Sequence, residues 1–382
     1  MSVQEASRFA DERAAVPSGT LGQKAARFKP LGYAGLLAAC AAVPFVFPGY
    51  TNTASVLLLM VIFALAWDVQ GGQMGYNSLG NIFFFGAGMY ISAVFQIGLW
   101  TDVGAYTRPD GLVKATFTAQ QYYIGLGVGF IASGILSAVL AIAFGWIVFG
   151  LRGPYFAIGS WGVAVAAGEL LSTVEWVGGG GGIAMPAFPG DPGFRKLLFY
   201  YMMLAVAVAT FAFLRWLYTT RFGLALNAIR DDEEKAEAMG IHTTRYKTLA
   251  WTISAFFLGF SGAIFGNIVA FIDPRNVAFP TLTFGIYMVL MVLLGGKGTL
   301  WGPIIGAVVF DVIKEVTWTY FLGWQNVVLG LLIIVIVVFF EQGIVGSIKE
   351  WRPEWFGIRV VGKAEPATRA EMAAASKAEA AE

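Results

Sequence analysis

The sequence has very few of the side chains that carry most enzyme chemistry. Its 382 residues include a single cysteine, Cys40, and a single histidine, His242. One cysteine excludes an internal disulfide and a thiolate metal site. Because histidine is equally scarce, zinc-type sites and Ser-His-Asp triads are excluded as well. We therefore expect no catalytic residue, no metal and no cofactor in this chain.

Charged residues are also scarce, at 13% of the chain, whereas hydrophobic residues make up 57%. Soluble domains carry roughly a quarter charged residues, and one core of this size could not bury so much apolar surface. The net charge of +1 gives no indication of nucleic-acid binding. The first 28 residues lack the apolar core of a cleaved signal peptide, so we expect the first apolar segment to remain in the lipid bilayer.

Repeated apolar segments predict an all-α polytopic membrane protein with about ten transmembrane helices. The eighth segment is short for a span unless it is broken or extended by Gly295 and Gly296, so nine spans is the alternative count. We divide the chain into an N-terminal tail (1–30), a transmembrane domain (31–345) that contains a charged loop (215–247), and a C-terminal tail (346–382). The ten segments lie near residues 31–48, 54–70, 79–98, 122–149, 155–174, 197–217, 248–272, 283–294, 301–320 and 326–345.

The distribution of lysine and arginine predicts the orientation. If both termini are cytoplasmic, 19 of the 25 basic residues lie on the cytoplasmic side. These 19 belong to the two tails, the turn at Arg152, the 215–247 loop and Lys297. Five lie on the opposite side: Arg108, Lys114, Arg195, Lys196 and Arg275. We therefore expect both termini in the cytoplasm.

A glycine- and amide-rich break separates two apolar stretches at residues 71–81. Glycine permits unusual backbone angles, and amide and hydroxyl side chains offer hydrogen-bond donors and acceptors. The segment is either a discontinuous helix that lines a translocation path or a tight turn between two spans. Its candidate path residues are Gln73, Tyr76, Asn77, Ser78 and Asn81.

Glu169 is a further candidate path residue because it lies inside a predicted span. A charge at this depth costs about 2.5–3.5 kcal/mol on insertion scales, so it normally faces a bundle interior or a pore. Pairing or protonation is the structural alternative. The five glycines at 178–182 predict either a flexible or re-entrant outer loop or a plain linker.

Residues 220–241 form the most helix-prone polar stretch of the chain. Asp231 and Glu234 have the spacing of a capping box, and Gly240 is placed to end the helix. Small apolar strips, Ala236 with Met239 and Leu224 with Ala228, would suit docking into a groove of another protein. A simple solvated loop is the alternative.

Two further patterns indicate structure more than function. Residues 295–299 superficially resemble a phosphate-binding loop but lack its first glycine and its Ser/Thr after the lysine, so we do not expect this loop to bind nucleotide. Asp311, Lys314 and Glu315 are spaced to pair along one helix face; a proton relay is the alternative.

Five segments together resemble the LivM-type permeases of branched-chain amino-acid ABC importers, over roughly residues 31–345. They are QMGYNSLGNIFFFGAGMY, LRGPYFAI, GGGGGI, RFGLALNAIRDDEEKAEAMGIHTTRYK and LLGGKGTLWGPIIGA. The resemblance implies the ABC importer permease fold in a bacterial inner membrane, a second permease subunit and an external substrate-binding protein. It also implies two ATP-binding subunits, which hold ATP and Mg²⁺ and receive a coupling helix at 221–240.

The same resemblance implies which loop residues contact the ATP-binding subunits. They are Arg221, Gly223, Arg230, Asp231, Asp232, Glu234, Glu237, Met239 and Gly240. The solute is a branched-chain amino acid or a related small polar solute; urea, short amides and organic acids are alternatives. An ion-coupled secondary transporter is an alternative class, although two matching inverted halves are not evident. A membrane-embedded enzyme is disfavoured by the missing histidines and cysteines.

Overall fold

The computed structural model describes residues 20–107, 117–320 and 343–351, with the single positions 324, 327, 330, 331, 334 and 335. The outer parts of both predicted tails, Arg108, Lys114 and most of the predicted tenth span lie outside these residues. The chain divides into two units. One comprises Met1–Ala38 and Gly346–Glu382, whose described residues are helical; the other is Ala39–Val345 and contains the candidate site described below.

The described residues are mainly helical. In chain order the helices are α1 (Thr20–Val46), α2 (Thr51–Gly71), α3 (Ile82–Gly98), α4 (Val103–Thr107), α5 (Ala119–Val148), α6 (Pro154–Thr173), α7 (Pro192–Leu217), α8 (Arg221–Asp231), α9 (Glu233–Ala238), α10 (Thr243–Val269), α11 (Ile286–Gly295), α12 (Gly302–Tyr320) and α13 (Gly343–Trp351).

Local sequence explains where several helices begin. Pro154 and Pro192 occupy first positions of helices, where the missing N–H costs nothing. Asp191 caps α7 by accepting a hydrogen bond from the backbone N–H of Phe194 at 3.0 Å. Thr118 and Gln121 form a capping box at the start of α5. Helix α1 begins at Thr20, and its apolar part, Gly32–Val46, agrees with the first predicted span.

The all-α polytopic class is confirmed, whereas the count of ten spans is not. Six segments of the described residues are long and apolar enough to cross a membrane, and the first part of the chain and α3 supply two shorter apolar helices. These eight match the first eight predicted spans. The ninth predicted span is α12, which carries three charged residues, Asp311, Lys314 and Glu315.

The eighth span was predicted too short, and its extension lies on the side opposite to the two glycines. The apolar segment runs over Pro274–Gly295 because two π-helical turns, Pro274–Ala278 and Thr281–Gly285, precede α11. Pro280 separates the two turns, and Gly296, with φ of 117°, ends the helix. Irregular backbone of this kind is tolerated at membrane depth where protein satisfies its polar groups.

The five-glycine segment has a defined conformation. Gly178, Gly179 and Gly182 have positive φ angles of 90°, 50° and 75°. The next residues form strand β1 (Ile183–Ala184), which pairs antiparallel with β2 (Phe271–Ile272). The glycines therefore lead the chain back to the end of α10.

The bundle has two ends, which we name from the 218–242 loop. The loop end also contains residues 72–81, the turn at Arg152 and the turn at 296–302, as the ion pair between Arg152 and Glu237 and the hydrogen bond from Gly298 to Asp68 show. The far end contains the β1–β2 pair. Three segments with basic residues that were predicted to share one side, the turn at Arg152, the 215–247 loop and the turn at Lys297, lie at this one end.

Helix α10 packs closely against α3 and α5 through glycines. A Cβ atom at Gly262 would lie 2.1 Å from the carbonyl oxygen of Phe85, and one at Gly88 would lie 2.3 Å from that of Gly259. Membrane helices gain van der Waals contact where small residues let their backbones approach. This contact surface fixes α10, and with it the start of α10 at the loop end.

We expect Gly262→Ala to destabilise the bundle by about 1–3 kcal/mol, because backbone rather than a movable side chain opposes the added methyl group. The measurement is the thermal unfolding midpoint of the detergent-solubilised protein. Gly127→Ala in α5 is the matched control, since nothing lies within 4 Å of its added Cβ atom. Equal midpoints for the two variants would contradict the close approach.

Candidate functional site

The 218–242 loop is a hairpin of two short helices, α8 and α9, whereas a single helix was predicted. Helix α8 ends at Asp231, and Asp232 leaves the helical conformation with φ of −164°. The carboxylate of Asp232 accepts a hydrogen bond from the backbone N–H of Lys235 at 3.0 Å and thereby caps α9. The prediction that Asp231 caps the helix in a capping box with Glu234 is therefore wrong, because the cap is the next residue, Asp232. The hydrogen bonds from Lys235 lower the pKa of Asp232 below its ordinary value.

The predicted helix end at Gly240 is confirmed. Gly240 has φ of 88°, and its N–H donates to the carbonyl of Glu237 at 2.9 Å. The N–H of Ile241 donates to the carbonyl of Ala236 at 3.0 Å. These two bonds form a Schellman motif, which turns the chain from α9 towards α10.

The hairpin has a buried inner face and an exposed outer face. Leu226, Ile229 and Ala236 are buried against the bundle, whereas Leu224 and Met239 are 67% and 84% exposed. The predicted strip of Ala236 with Met239 is therefore wrong, because the two side chains lie on opposite faces. An outer face with isolated apolar side chains and a charged rim suits docking with another protein.

The hairpin is attached to the bundle by a buried cluster of Glu233, Tyr76 and Lys247, which we call the loop anchor. The Lys247 ammonium donates to Oε1 of Glu233 at 2.6 Å and to the hydroxyl of Tyr76 at 3.1 Å. The Tyr76 hydroxyl donates to the other carboxylate oxygen of Glu233. The side chains of Lys247 and Glu233 are only 2% and 15% exposed.

The protonation states of the loop anchor follow from these contacts. Burial alone raises the pKa of Glu233, but the hydrogen bonds from Lys247 and Tyr76 outweigh it and lower the pKa below its ordinary value. Burial, and then the hydrogen bond to Glu233, raises the pKa of Tyr76. At neutral pH Glu233 is therefore a carboxylate and Tyr76 a protonated phenol.

A second set of contacts surrounds the loop anchor at the surface. The hydroxyl of Thr243 donates to Glu237 at 2.6 Å, and Arg152 lies 3.6 Å from Glu237 and 4.0 Å from Glu234. The exposed ion pairs of Arg152 contribute little to stability because solvent screens them. They connect the hairpin to the turn between α5 and α6, whereas Thr243 connects it to the start of α10.

Arg230 connects the hairpin to two glycine turns. A Cβ atom at Gly75 would lie 3.1 Å from Cγ of Arg230, and one at Gly298 would lie 3.3 Å from its guanidinium. The N–H of Gly298 donates to the buried carboxylate of Asp68 at 2.8 Å. The turn that resembles a phosphate loop thus uses this N–H to bind the end of α2.

The predicted path residues of segment 71–81 have different surroundings. Gln73, Ser78 and Asn81 are buried, and Asn77 is exposed. The side-chain oxygen of Asn81 accepts a hydrogen bond from the indole of Trp251 at 2.8 Å. Tyr76 belongs to the loop anchor, so the segment predicted as a path and the loop predicted as a contact surface are joined.

Two other charged groups form the pairs that the sequence suggested. Glu169 lies towards the far end and forms an ion pair with Arg275 at 2.7 Å; both side chains are more than half exposed. The structure thus shows the pairing alternative for Glu169. The predicted pair of Asp311 and Lys314 along α12 is confirmed.

Sequence reasoning missed Glu233, Lys247, Arg152 and Asp68 as members of the site. Lys247 and Asp68 did carry a signal, since each is a charge at the end of an apolar segment and such charges need partners. The partners themselves lie far away along the chain: 157 residues separate Tyr76 from Glu233.

The sequence of this chain is similar to those of known transport proteins. The family model described as branched-chain amino acid transport system / permease component matches residues 49–337. The high-affinity branched-chain amino acid transport system permease protein LivM of Salmonella typhimurium is 27% identical over 75% of this chain and 74% of its own length. No solved structure matches the chain.

Two further relatives have different names and coverage. The high-affinity branched-chain amino acid transport system permease protein LivH of Escherichia coli is 24% identical over 81% of this chain and 95% of its own length. The fructose import permease protein FrcC of Rhizobium meliloti is 25% identical over 64% of this chain and 70% of its own length. Similarity therefore extends to permeases named for solutes of different chemistry.

We expect Glu233→Gln to lower the free energy of unfolding at neutral pH by about 1–3 kcal/mol, because it leaves the Lys247 ammonium without its counter-charge. Since the folded-state pKa of Glu233 is lowered, its contribution is complete above the ordinary value of 4.5 and is lost as pH falls through the folded-state pKa. The measurement is the difference in unfolding midpoint between wild type and Glu233→Gln from pH 8 to pH 3.5. The difference should stay constant down to about pH 5 and then shrink. Shrinkage that begins near pH 7 would contradict the ion pair.

Proposed function

Because the chain belongs to the family of branched-chain amino acid transport system permease components, we propose that it is the transmembrane permease subunit of an ATP-driven importer of branched-chain amino acids. A second permease subunit completes the translocation path. Two ATP-binding subunits hold ATP and Mg²⁺ and carry out the hydrolysis. An external substrate-binding protein delivers the solute.

The observation that carries this proposal is the hairpin of α8 and α9. It projects at one end of the bundle, its inner face is buried, and its outer face exposes Leu224 and Met239. A short helical element with apolar side chains and a charged rim is suited to a groove on a partner. In the proposed complex this groove belongs to an ATP-binding subunit. The rim consists of the residues Arg221, Arg230, Asp231, Asp232, Glu234 and Glu237.

The proposed orientation places the loop end in the cytoplasm of a bacterial cell and both termini on the same side of the inner membrane. The excess of lysine and arginine in the loop and the tails supports it. ATP is available in the cytoplasm, and in this orientation the hairpin therefore contacts the ATP-binding subunits on the cytoplasmic side.

The proposed path runs past the non-helical segment 72–81. Buried polar side chains are costly in a membrane bundle, and they commonly line the route of a solute. Gln73, Ser78 and Asn81 are the buried polar residues of this segment. Asn77, which is exposed, would face the opening of the path.

The first test is ATP-driven uptake of leucine into vesicles that contain this chain, its partner permease, the ATP-binding subunits and the binding protein. We expect uptake that requires ATP and persists when a proton ionophore is present. Competition by isoleucine, valine, urea, acetamide, malate and fructose identifies the solute class. Uptake driven by an ion gradient in vesicles of the purified chain alone would contradict the proposal.

We expect Met239→Lys to weaken binding of the ATP-binding subunits by about tenfold or more, because it removes an exposed apolar contact from the outer face. A lysine at the end of a helix is favourable, so the hairpin should keep its fold. The measurement is titration of the solubilised permease with purified ATP-binding subunit. Phe194→Lys, at an exposed apolar position at the far end, is the control. Equal affinities for the two variants would place the docking surface elsewhere.

A further inference from the structure

The loop anchor joins three parts of the chain that the proposed function treats separately. Glu233 begins α9 in the hairpin, Tyr76 lies in the non-helical segment 72–81, and Lys247 lies in the first turns of α10. Resting on the proposed function, we propose that this anchor transmits movement of the hairpin to segment 72–81. Tyr76, Glu233 and Lys247 are thus the positioning residues that set how much solute moves for each ATP hydrolysed.

Burial distinguishes the Lys247–Glu233 pair from the ion pairs that Arg152 makes with the hairpin. The Lys247–Glu233 pair is shielded from water, with an N–O distance of 2.6 Å. Arg152, Glu234 and Glu237 are 58%, 87% and 43% exposed and lie 3.6–4.0 Å apart. Water competes for such exposed contacts, whereas a shielded charge-assisted hydrogen bond holds its partners at a fixed separation. Force on the hairpin therefore reaches Tyr76 and α10 through Glu233.

Tyr76 receives that force in a segment with few helical restraints. Residues 75–80 have no regular helix bonds, and Gly75, with φ of 78°, precedes Tyr76. Beyond Tyr76 the segment is held by the indoles of Trp67 and Trp251, which donate to the carbonyl of Ser78 and to Asn81. A stretch held by a few side-chain bonds moves at lower cost than a helix interior.

Arg230 supplies a second connection between the hairpin and the same segment. It packs on Gly75, next to Tyr76, and on Gly298 in the turn after α11. The Asp68 carboxylate ties Gly298 to the end of α2. A displacement of α8 and α9 therefore acts on the ends of α2 and α11 together, and the loop anchor links this movement to α10.

Lys247 attaches the loop anchor to a helix that is closely packed in the bundle. Helix α10 is held against α3 and α5 by backbone contacts at Gly259 and Gly262. The ammonium also lies 4.6 Å from the centre of the Tyr76 ring, a cation–π contact. Tyr76 is thus held between the Glu233 carboxylate of the hairpin and the Lys247 ammonium of a packed helix.

The test measures solute taken up per ATP hydrolysed in vesicles with the complete transporter complex. The variants are Tyr76→Phe, Glu233→Gln and the exchange of Glu233→Lys with Lys247→Glu. We expect Tyr76→Phe and Glu233→Gln to keep ATP hydrolysis within about twofold of wild type but to lower the uptake ratio about tenfold, within the usual range of coupling between sites. The exchange should recover part of the ratio, because it restores a pair of opposite charges.

Asp311→Asn is the matched control, because it breaks a buried ion pair of α12 that has no contact with the loop anchor in the described residues. It should lower thermal stability and keep the wild-type uptake ratio. Tyr76→Phe decides the matter if Glu233→Gln fails to assemble, since it removes only a hydroxyl group. A wild-type ratio in Tyr76→Phe, or an equal loss in Asp311→Asn, would overturn the inference. Absence of ATP-dependent uptake by the wild-type complex would instead overturn the proposed function, and the inference with it.

Discussion

The charge of Lys247 must be neutralised inside a bundle of low polarity, and the arrangement of the loop end depends on this requirement. An ammonium without a partner is very costly away from water. Glu233 supplies the counter-charge from the hairpin, and Tyr76 supplies a hydroxyl from the segment after α2. Helix α9 must therefore begin where its first carboxylate reaches the ammonium. The position of the outer face, with Leu224 and Met239, follows from that constraint.

Features that depend on neighbouring residues could be predicted from the sequence. The apolar segments, the helix end at Gly240 and the pair of Asp311 with Lys314 are local patterns, and the structure confirms them. The family that the motifs suggested is also confirmed. The cap at Asp232 was missed by one residue, because Asp231 and Asp232 offer the same chemistry and only the backbone conformation distinguishes them.

Features that join distant segments could not be predicted in the same way. No local sequence pattern connects Tyr76 with Glu233. Tyr76 was predicted as a path residue, and Glu233 was assigned to no site. The π-helical turns before α11 were missed for a related reason: backbone with irregular hydrogen bonds depends on the surrounding helices, whereas an apolar pattern reports only depth in the bilayer. The π-helical turns that begin at Pro274 and Thr281 follow no sequence periodicity from which they could be predicted.

The unequal lengths of α5 and α6 bring the lipid into the energetics of the fold. At 1.5 Å per residue, the 30 residues of α5 extend about 45 Å and the 20 residues of α6 about 30 Å. The hydrocarbon layer is about 30 Å thick, so α6 matches it while α5 exceeds it. The two consecutive helices therefore fit the bilayer differently: α5 must tilt, carry its ends into the headgroup region or thicken the bilayer around it. The thickness of the membrane, and the lipid composition that sets it, therefore contributes to the free energy of the folded bundle.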